Sequence, residues 1–84
     1  MYKIDVTPSA KSDLRKIKKV ILQRAISEAI GDLKYNPFVG KPLKRELTGR
    51  NSYKVGNYRI IYKVMKRDKI VKILKVQHRS VVYN

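Results

Sequence analysis

The chain contains no cysteine, and only six of its 84 residues are acidic. Without cysteine there are no disulfides and no thiolate metal sites, so a packed core alone must hold the fold. A domain of this length buries enough surface to be marginally stable without such staples. No apolar run approaches the roughly 20 residues of a membrane-spanning helix. The N-terminus, Met1-Tyr2-Lys3-Ile4-Asp5, lacks the apolar segment of a signal peptide. The expectation is a cytoplasmic protein with no membrane partner. No repeat, low-complexity tract or linker divides it, and residues 1–84 are read as a single domain.

Against the six acids stand 21 lysines and arginines, a formal net charge of +15. Such a field attracts polyanions and speeds encounter with them, but it says nothing about fold. Charge alone is met equally by a solvated basic surface, as on a non-catalytic RNA-binding module.

Residues 2–6 alternate as a short strand, with Tyr2, Ile4 and Val6 on one side. Thr7-Pro8 predicts a helix start: Thr7 as N-cap, Pro8 at the first helical position, where a missing N–H costs nothing. Apolar residues then recur at helical spacing to about Tyr35. A single straight helix of that span would be about 40 Å long and would overhang so small a sheet. Two helices are therefore expected, broken at the basic run Lys16 to Lys19. Asn36-Pro37 ends the helical region, since a residue before proline avoids the α conformation. Residues 36–42 form a loop in which Phe38 is a candidate plug for the gap between helices and sheet. Leu43 to Leu47 are read as a short edge segment, 48–50 as a turn, 51–55, 58–65 and 69–77 as strands, and 81–83 as a last extension. The fold class is α+β, in the order β-α-α-β-β-β: an N-terminal strand and a helical hairpin packed on a small antiparallel sheet.

Strand geometry singles out two cations. If Gly56-Asn57 is the two-residue turn of a hairpin, Val55 pairs with Tyr58 and Lys54 with Arg59. Directly opposed like charges destabilise a sheet by up to about 1 kcal/mol, so the pair is read as holding an anion, a phosphate above all. Tyr53, Val55, Tyr58, Ile60, Tyr62 and Val64 point the other way and supply a core. For the next hairpin, a three-residue turn at Lys66-Arg67-Asp68 pairs Tyr58 with Val76, Ile60 with Leu74 and Val64 with Ile70. That register leaves Arg59, Lys75 and Arg79 opposite the core, whereas a two-residue turn would bury Lys75.

The segments Leu47-Thr48-Gly49, Tyr53-Lys54-Val55-Gly56-Asn57-Tyr58-Arg59-Ile60-Ile61-Tyr62 and His78-Arg79-Ser80-Val81-Val82-Tyr83 resemble the RelE/ParE superfamily of bacterial and archaeal toxins. With the helical pair and the 36–43 loop, the resemblance covers nearly the whole chain. Its RelE-like branch implies a ribosome-dependent mRNA endonuclease. The RNA's own 2′-hydroxyl attacks the adjacent phosphate and leaves a 2′,3′-cyclic phosphate, with no metal or other cofactor. Fixed cations aimed at the developing charge suit that reaction.

By the same resemblance, Arg59 matches the sheet arginine that clamps the scissile phosphate through its guanidinium fork. Lys54 matches a catalytic lysine that stabilises the phosphate or takes part in proton transfer. Arg79 matches an arginine near the C-terminus that serves the transition state or leaving group. Tyr83 matches a terminal tyrosine that stacks on a base or orients the nucleophile. His78 is an acid–base candidate on chemical grounds, as the one side chain whose unperturbed pKa lies near neutrality. Implied partners are the ribosome with its mRNA and a cognate acidic, RelB-like antitoxin, in an assembly of heterotetramer size or larger. Departures from the family pattern are Ser52 in place of a basic residue, Asn57 in place of aspartate, and residues 36–45 without any carboxylate base. The ParE-like branch implies instead inhibition of DNA gyrase by binding.

Overall fold

A computed structural model describes residues 1–43 and 49–80 of the chain. Strand β1 (Lys3–Val6) runs directly into helix α1 (Pro8–Arg15), and Thr7 caps that helix as its sequence predicts. The Thr7 hydroxyl accepts from the Ala10 N–H at 3.3 Å and donates to the Ile73 carbonyl at 2.7 Å. One side chain thus starts the helix and ties it to the sheet. The basic run at 16–19 does separate α1 from a second helix, α2 (Val20–Asp32). Gln23 closes the hairpin by donating to the carbonyls of Leu14, in the last turn of α1, and Ile17, just past its end.

Two short strands and two long ones follow: β2 (Lys41–Pro42), β3 (Asn51–Val55), β4 (Tyr58–Met65) and β5 (Ile70–His78). They form one sheet in the order β1-β5-β4-β3-β2. The expected α+β order is present, with two differences. The sheet is mixed, because β1 lies parallel to β5. No tight turn joins β1 to its neighbour, so nothing local imposes an antiparallel pairing. The edge strand also begins earlier than expected, inside the 36–42 segment: Lys41 pairs with Ser52 and Pro42 with Asn51. Leu43 extends that pairing through its N–H to Arg50. The rest of the proposed 43–47 edge segment and the 81–83 extension lie outside the described residues.

The core lies between the helices and one face of the sheet. Ile26, Ala29, Ile30 and Leu33 of the α2 segment meet Ile60, Tyr62, Val71, Ile73 and Val76. Full burial of such aliphatic side chains contributes roughly 1.5–3 kcal/mol each. Phe38 takes no part in this core. It is 56% exposed, edge-on to Tyr2 at 6.2 Å, with the Lys66 ammonium 5.3 Å from its ring. Pro37, one residue earlier, is the buried one.

Pairing of β3 with β4 follows the expected register, Val55 with Tyr58 and Lys54 with Arg59. Gly56 occupies the first turn position at φ 57°, in the left-handed region that glycine enters without steric cost. The β4–β5 register departs from expectation. The turn spans four residues, Lys66 to Lys69, with Lys69 at φ 53°, and Met65 pairs with Ile70. A bulge then intervenes: Tyr62 pairs with Ile73 but Ile61 with Lys75, leaving Leu74 without a partner on β4. The resulting pairs are Val64–Val71, Ile60–Val76 and Tyr58–His78. The cause is readable in β5 itself. Val71 and Ile73 share one strand parity and Val76 the other, so a regular strand cannot bury all three. The extra residue lets it.

Where β1 ends opposite Ile73, the free edge of β5 is completed by α1. The Asp13 carboxylate accepts from the Val76 N–H at 2.9 Å, and Thr7 reaches the Ile73 and Leu74 carbonyls. These contacts block an otherwise unpaired edge.

Candidate anion site on the outer face of the sheet

Alternation along β3 and β4 sends Tyr53, Tyr58, Ile60 and Tyr62 toward the helices and leaves Lys54 and Arg59 on the opposite, outer face. Both cations are exposed and stand directly opposite each other, next to the tight turn. A guanidinium and an ammonium so placed repel one another until an anion lies between them. On the other side of Arg59, in the same row, stands Gln77 of β5.

The Lys54–Arg59 pair forms one wall of a concavity of about 490 Å³, whose other wall is the segment Val39 to Leu43. That segment is held from beneath. The Tyr62 hydroxyl donates to the Pro37 carbonyl at 2.8 Å and accepts from the Gly40 N–H at 3.0 Å. Gly40 has no space for a Cβ, which would collide with the Tyr62 hydroxyl and lie 2.9 Å from the Ser52 carbonyl. Burial raises the Tyr62 pKa above its ordinary 10.0, an effect the Gly40 N–H partly offsets and the neighbouring Tyr53 adds to. The phenol therefore stays protonated and keeps its donor role. Tyr62, expected only to pack, also positions the wall of the site.

Arg79 follows the last residue of β5, and its N–H donates to the Asn57 carbonyl, one pair beyond Tyr58–His78. Its backbone is thus fixed beside the Gly56-Asn57 turn, at the same end of the sheet as Lys54 and Arg59. Its side chain is exposed. His78 is placed differently. It pairs with Tyr58 and shares the helix-facing side, with the two rings edge to face at 5.1 Å. Its Nδ1 lies 2.8 Å from the Ser80 hydroxyl and accepts from the Ser80 N–H. There it borders a second, largely apolar cleft of about 970 Å³, shared with the α1–α2 connection and the first turn of α2. The structure thus sets Lys54 against Arg59, fixes the Arg79 backbone at the same end of the sheet, and puts His78 on the helix-facing side. Tyr83 lies outside the described residues.

Two contributors were missed in the sequence. Gln77 has a buried amide oxygen without a hydrogen-bond partner, directly across from Arg59. Its place in that row depends on the bulge, so the strand pattern alone did not reveal it. The Tyr62–Gly40 pin joins residues 22 apart, and its only local signal is a glycine between two loop prolines. Among the described residues no cluster of three His, Asp or Glu side chains is placed to hold a metal ion. No helix among them is long and apolar enough to cross a membrane.

With this geometry in hand, known proteins provide a comparison. The family model described as ParE toxin of type II toxin–antitoxin system, parDE, matches residues 4–83. Toxin RelG of Mycobacterium tuberculosis is 41% identical over 83 residues, covering 98% of this chain and 95% of RelG. In solved structures, the fold is similar to a chain of the toxin–antitoxin complex RelBE2 from Mycobacterium tuberculosis, with a TM-score of 0.81 and 42% identity. That match covers 93% of this chain and 98% of the other. A chain of the archaeal RelE–RelB complex from Pyrococcus horikoshii gives a TM-score of 0.78 at 28% identity, covering 96% and 98%.

Proposed function

This chain belongs to the RelE/ParE family of toxins of type II toxin–antitoxin systems, and on that premise we propose that it is a ribosome-dependent, metal-independent endoribonuclease that cuts mRNA. The observation that carries the proposal is the outward-facing, directly opposed pair Lys54–Arg59 on rigid strands beside a pinned loop. In the reaction, the RNA 2′ oxygen bonds to the adjacent phosphorus and the bond to the 5′ oxygen breaks. The products are a 2′,3′-cyclic phosphate and a 5′-hydroxyl.

Arg59 grips the non-bridging phosphate oxygens, whose charge grows in the transition state. One preorganised donor of that kind commonly contributes about 3–4 kcal/mol. Lys54 shares this load and, as an ammonium, can give a proton to the departing 5′ oxygen. Arg79 assists from the neighbouring end of β5, and Tyr83 stacks on a base or orients the 2′-hydroxyl. His78, on the helix side, is given no proton to move. No carboxylate occurs in the 36–43 wall, and the proposal assigns no base among the described residues.

RelBE2 and the archaeal RelE–RelB assembly are toxin–antitoxin complexes. By analogy, this chain acts in the cytoplasm and is silenced by a small acidic, RelB-like antitoxin in a heterotetramer or larger assembly. Its acidic residues would meet the basic face. Induced expression of wild type beside Arg59→Ala, with growth and primer extension on translated messages, tests the reading. New cuts inside codons are expected for wild type alone. Intact messages under inhibited growth would overturn it.

The matching family model is described by the ParE toxin, which favours one rival: inhibition of DNA gyrase by binding. Trapped cleavage complexes on supercoiled DNA, insensitive to Arg59→Ala, would establish that rival.

A further inference from the structure

The bulge in β5 changes which lysines share a face. Lys72 and Lys75 are three residues apart, so in a regular strand they would point to opposite sides of the sheet. With Leu74 as an extra residue, Lys72 pairs with Lys63 and Lys75 with Ile61, and both lie on the outer face with Arg59. Lys63–Lys72 is a second pair of directly opposed cations. It sits four residues along β4 from Arg59, about 13 Å away at 3.3 Å per residue. Lys75 stands between the two pairs, opposite Ile61.

One acid, Asp5 of β1, pairs with Lys72. It offsets one of the three charges and leaves two. Lys72 and Lys75 are half-buried while Lys63 is exposed, so part of two of the lysine side chains is withdrawn from solvent. A bulge re-aims side chains at some cost to the ladder. Here it gathers like charges that repel unless an anion joins them.

We propose that Lys63, Lys72 and Lys75 form a second phosphate subsite, which holds the backbone of single-stranded RNA at a nucleotide beyond the one gripped by Arg59. The assignment rests on the RNA-cleaving reading above and gives the outer face a direction, along β4 from the hairpin turn toward Lys63. The subsite serves affinity and register. Only the Lys54–Arg59 end meets the reacting phosphate.

Equilibrium binding of two uncleavable 2′-O-methyl RNAs tests this, a dinucleotide with one internucleotide phosphate and an octanucleotide that can span both pairs. The double variant Lys63→Ala/Lys75→Ala should weaken octanucleotide binding about tenfold. It should also lower the salt slope by about 0.7, the value for one phosphate contact on single strands. Dinucleotide binding should stay within twofold. Lys16→Ala/Lys18→Ala removes the same charge from the helix connection and should leave the length dependence intact. Equal losses on both RNAs, or an equal loss from the control variant, would reduce the lysines to a diffuse field and overturn the subsite. So would an unaffected octanucleotide, including the case in which the double variant instead loses an acidic partner protein. Cutting of translated message is scored separately. Its absence would remove the nuclease reading while leaving the length dependence in place. Intact cutting with no length dependence would remove the subsite alone.

Discussion

Arg59 and Ile60 are adjacent in sequence and face opposite ways, and they summarise how differently the two sides of this sheet are built. On the helix side, Ile60 is fully buried among aliphatic neighbours. On the outer side, Arg59 faces Lys54, and the next cations along the sheet face each other as well. One face is arranged for stability; the other buries Ile61 but otherwise sets like charges against each other at some cost. The difference teaches that a strained arrangement of charges can persist where the opposite face supplies enough burial to hold it. Substitutions at the two neighbours should therefore fail in different ways.

Ile60→Ala should have the largest effect, a loss of about 2–5 kcal/mol from a fully buried site. Urea unfolding would read it, with any loss of activity tracking the unfolded fraction. Arg59→Ala should do the reverse. Single-turnover cleavage of ribosome-bound message should fall a hundredfold or more, about 3 kcal/mol of transition-state stabilisation, with binding nearly kept. Its unfolding midpoint should stay level or rise slightly, because one partner of a repelling pair is gone. A variant that lost stability instead, with the cleavage rate per folded molecule intact, would erase the distinction between the faces.

Tyr62 connects the two faces, with its ring in the core and its hydroxyl under the wall of the site. Tyr62→Phe removes one donor and one acceptor from buried partners and should cost about 1–3 kcal/mol. It should also loosen the 37–40 segment, read as faster amide exchange at Gly40. The same contact has a pH signature. Burial raises the phenol pKa in the folded state, whereas the unfolded phenol ionises near 10. The folded form thus keeps a proton that the unfolded form releases. The stability from this group is full below pH 10 and declines as pH rises beyond it. A wild-type alkaline decline identical to that of Tyr62→Phe would show that the phenol is not its source.

Most of the local architecture was legible in the sequence, for reasons that lie within a few residues. Thr7-Pro8 marks a helix start, Asn36-Pro37 ends the helical region, and Gly56-Asn57 makes a hairpin that sets Lys54 against Arg59. The parts that escaped depend on distant partners. The β4–β5 turn took four residues because Lys69 adopts a left-handed conformation that its side chain does not advertise. The bulge at Leu74 satisfies three buried aliphatic residues of mixed parity at once. Together they slid His78 along β5 to the position opposite Tyr58, on the helix-facing side that its parity with Val76 had already implied. Phe38 was misplaced because burial in that loop belongs to Pro37 and to the Tyr62 hydroxyl beneath it.

The smallest effect is expected at His78, and it bears most directly on the separation of the faces. Its chemistry made it an acid–base candidate, but its position pairs it with Tyr58 on the helix side, with Nδ1 engaged by Ser80. His78→Ala should lose an edge-to-face aromatic contact, a matter of about 0.5–1.5 kcal/mol, and the exposure of the ring points to the lower end of that range. Single-turnover cleavage should change by less than about threefold, and its pH profile should keep its shape, since no proton in the proposed reaction passes through the imidazole. His78→Phe should recover the stability and leave the cleavage rate where it was. If His78→Ala instead lost a hundredfold in rate with its unfolding midpoint unchanged, the imidazole would have to reach around the end of β5 to the phosphate. The reacting centre would then belong to the strand ends on both faces, and the pairing of Lys54 with Arg59 would describe only half of it.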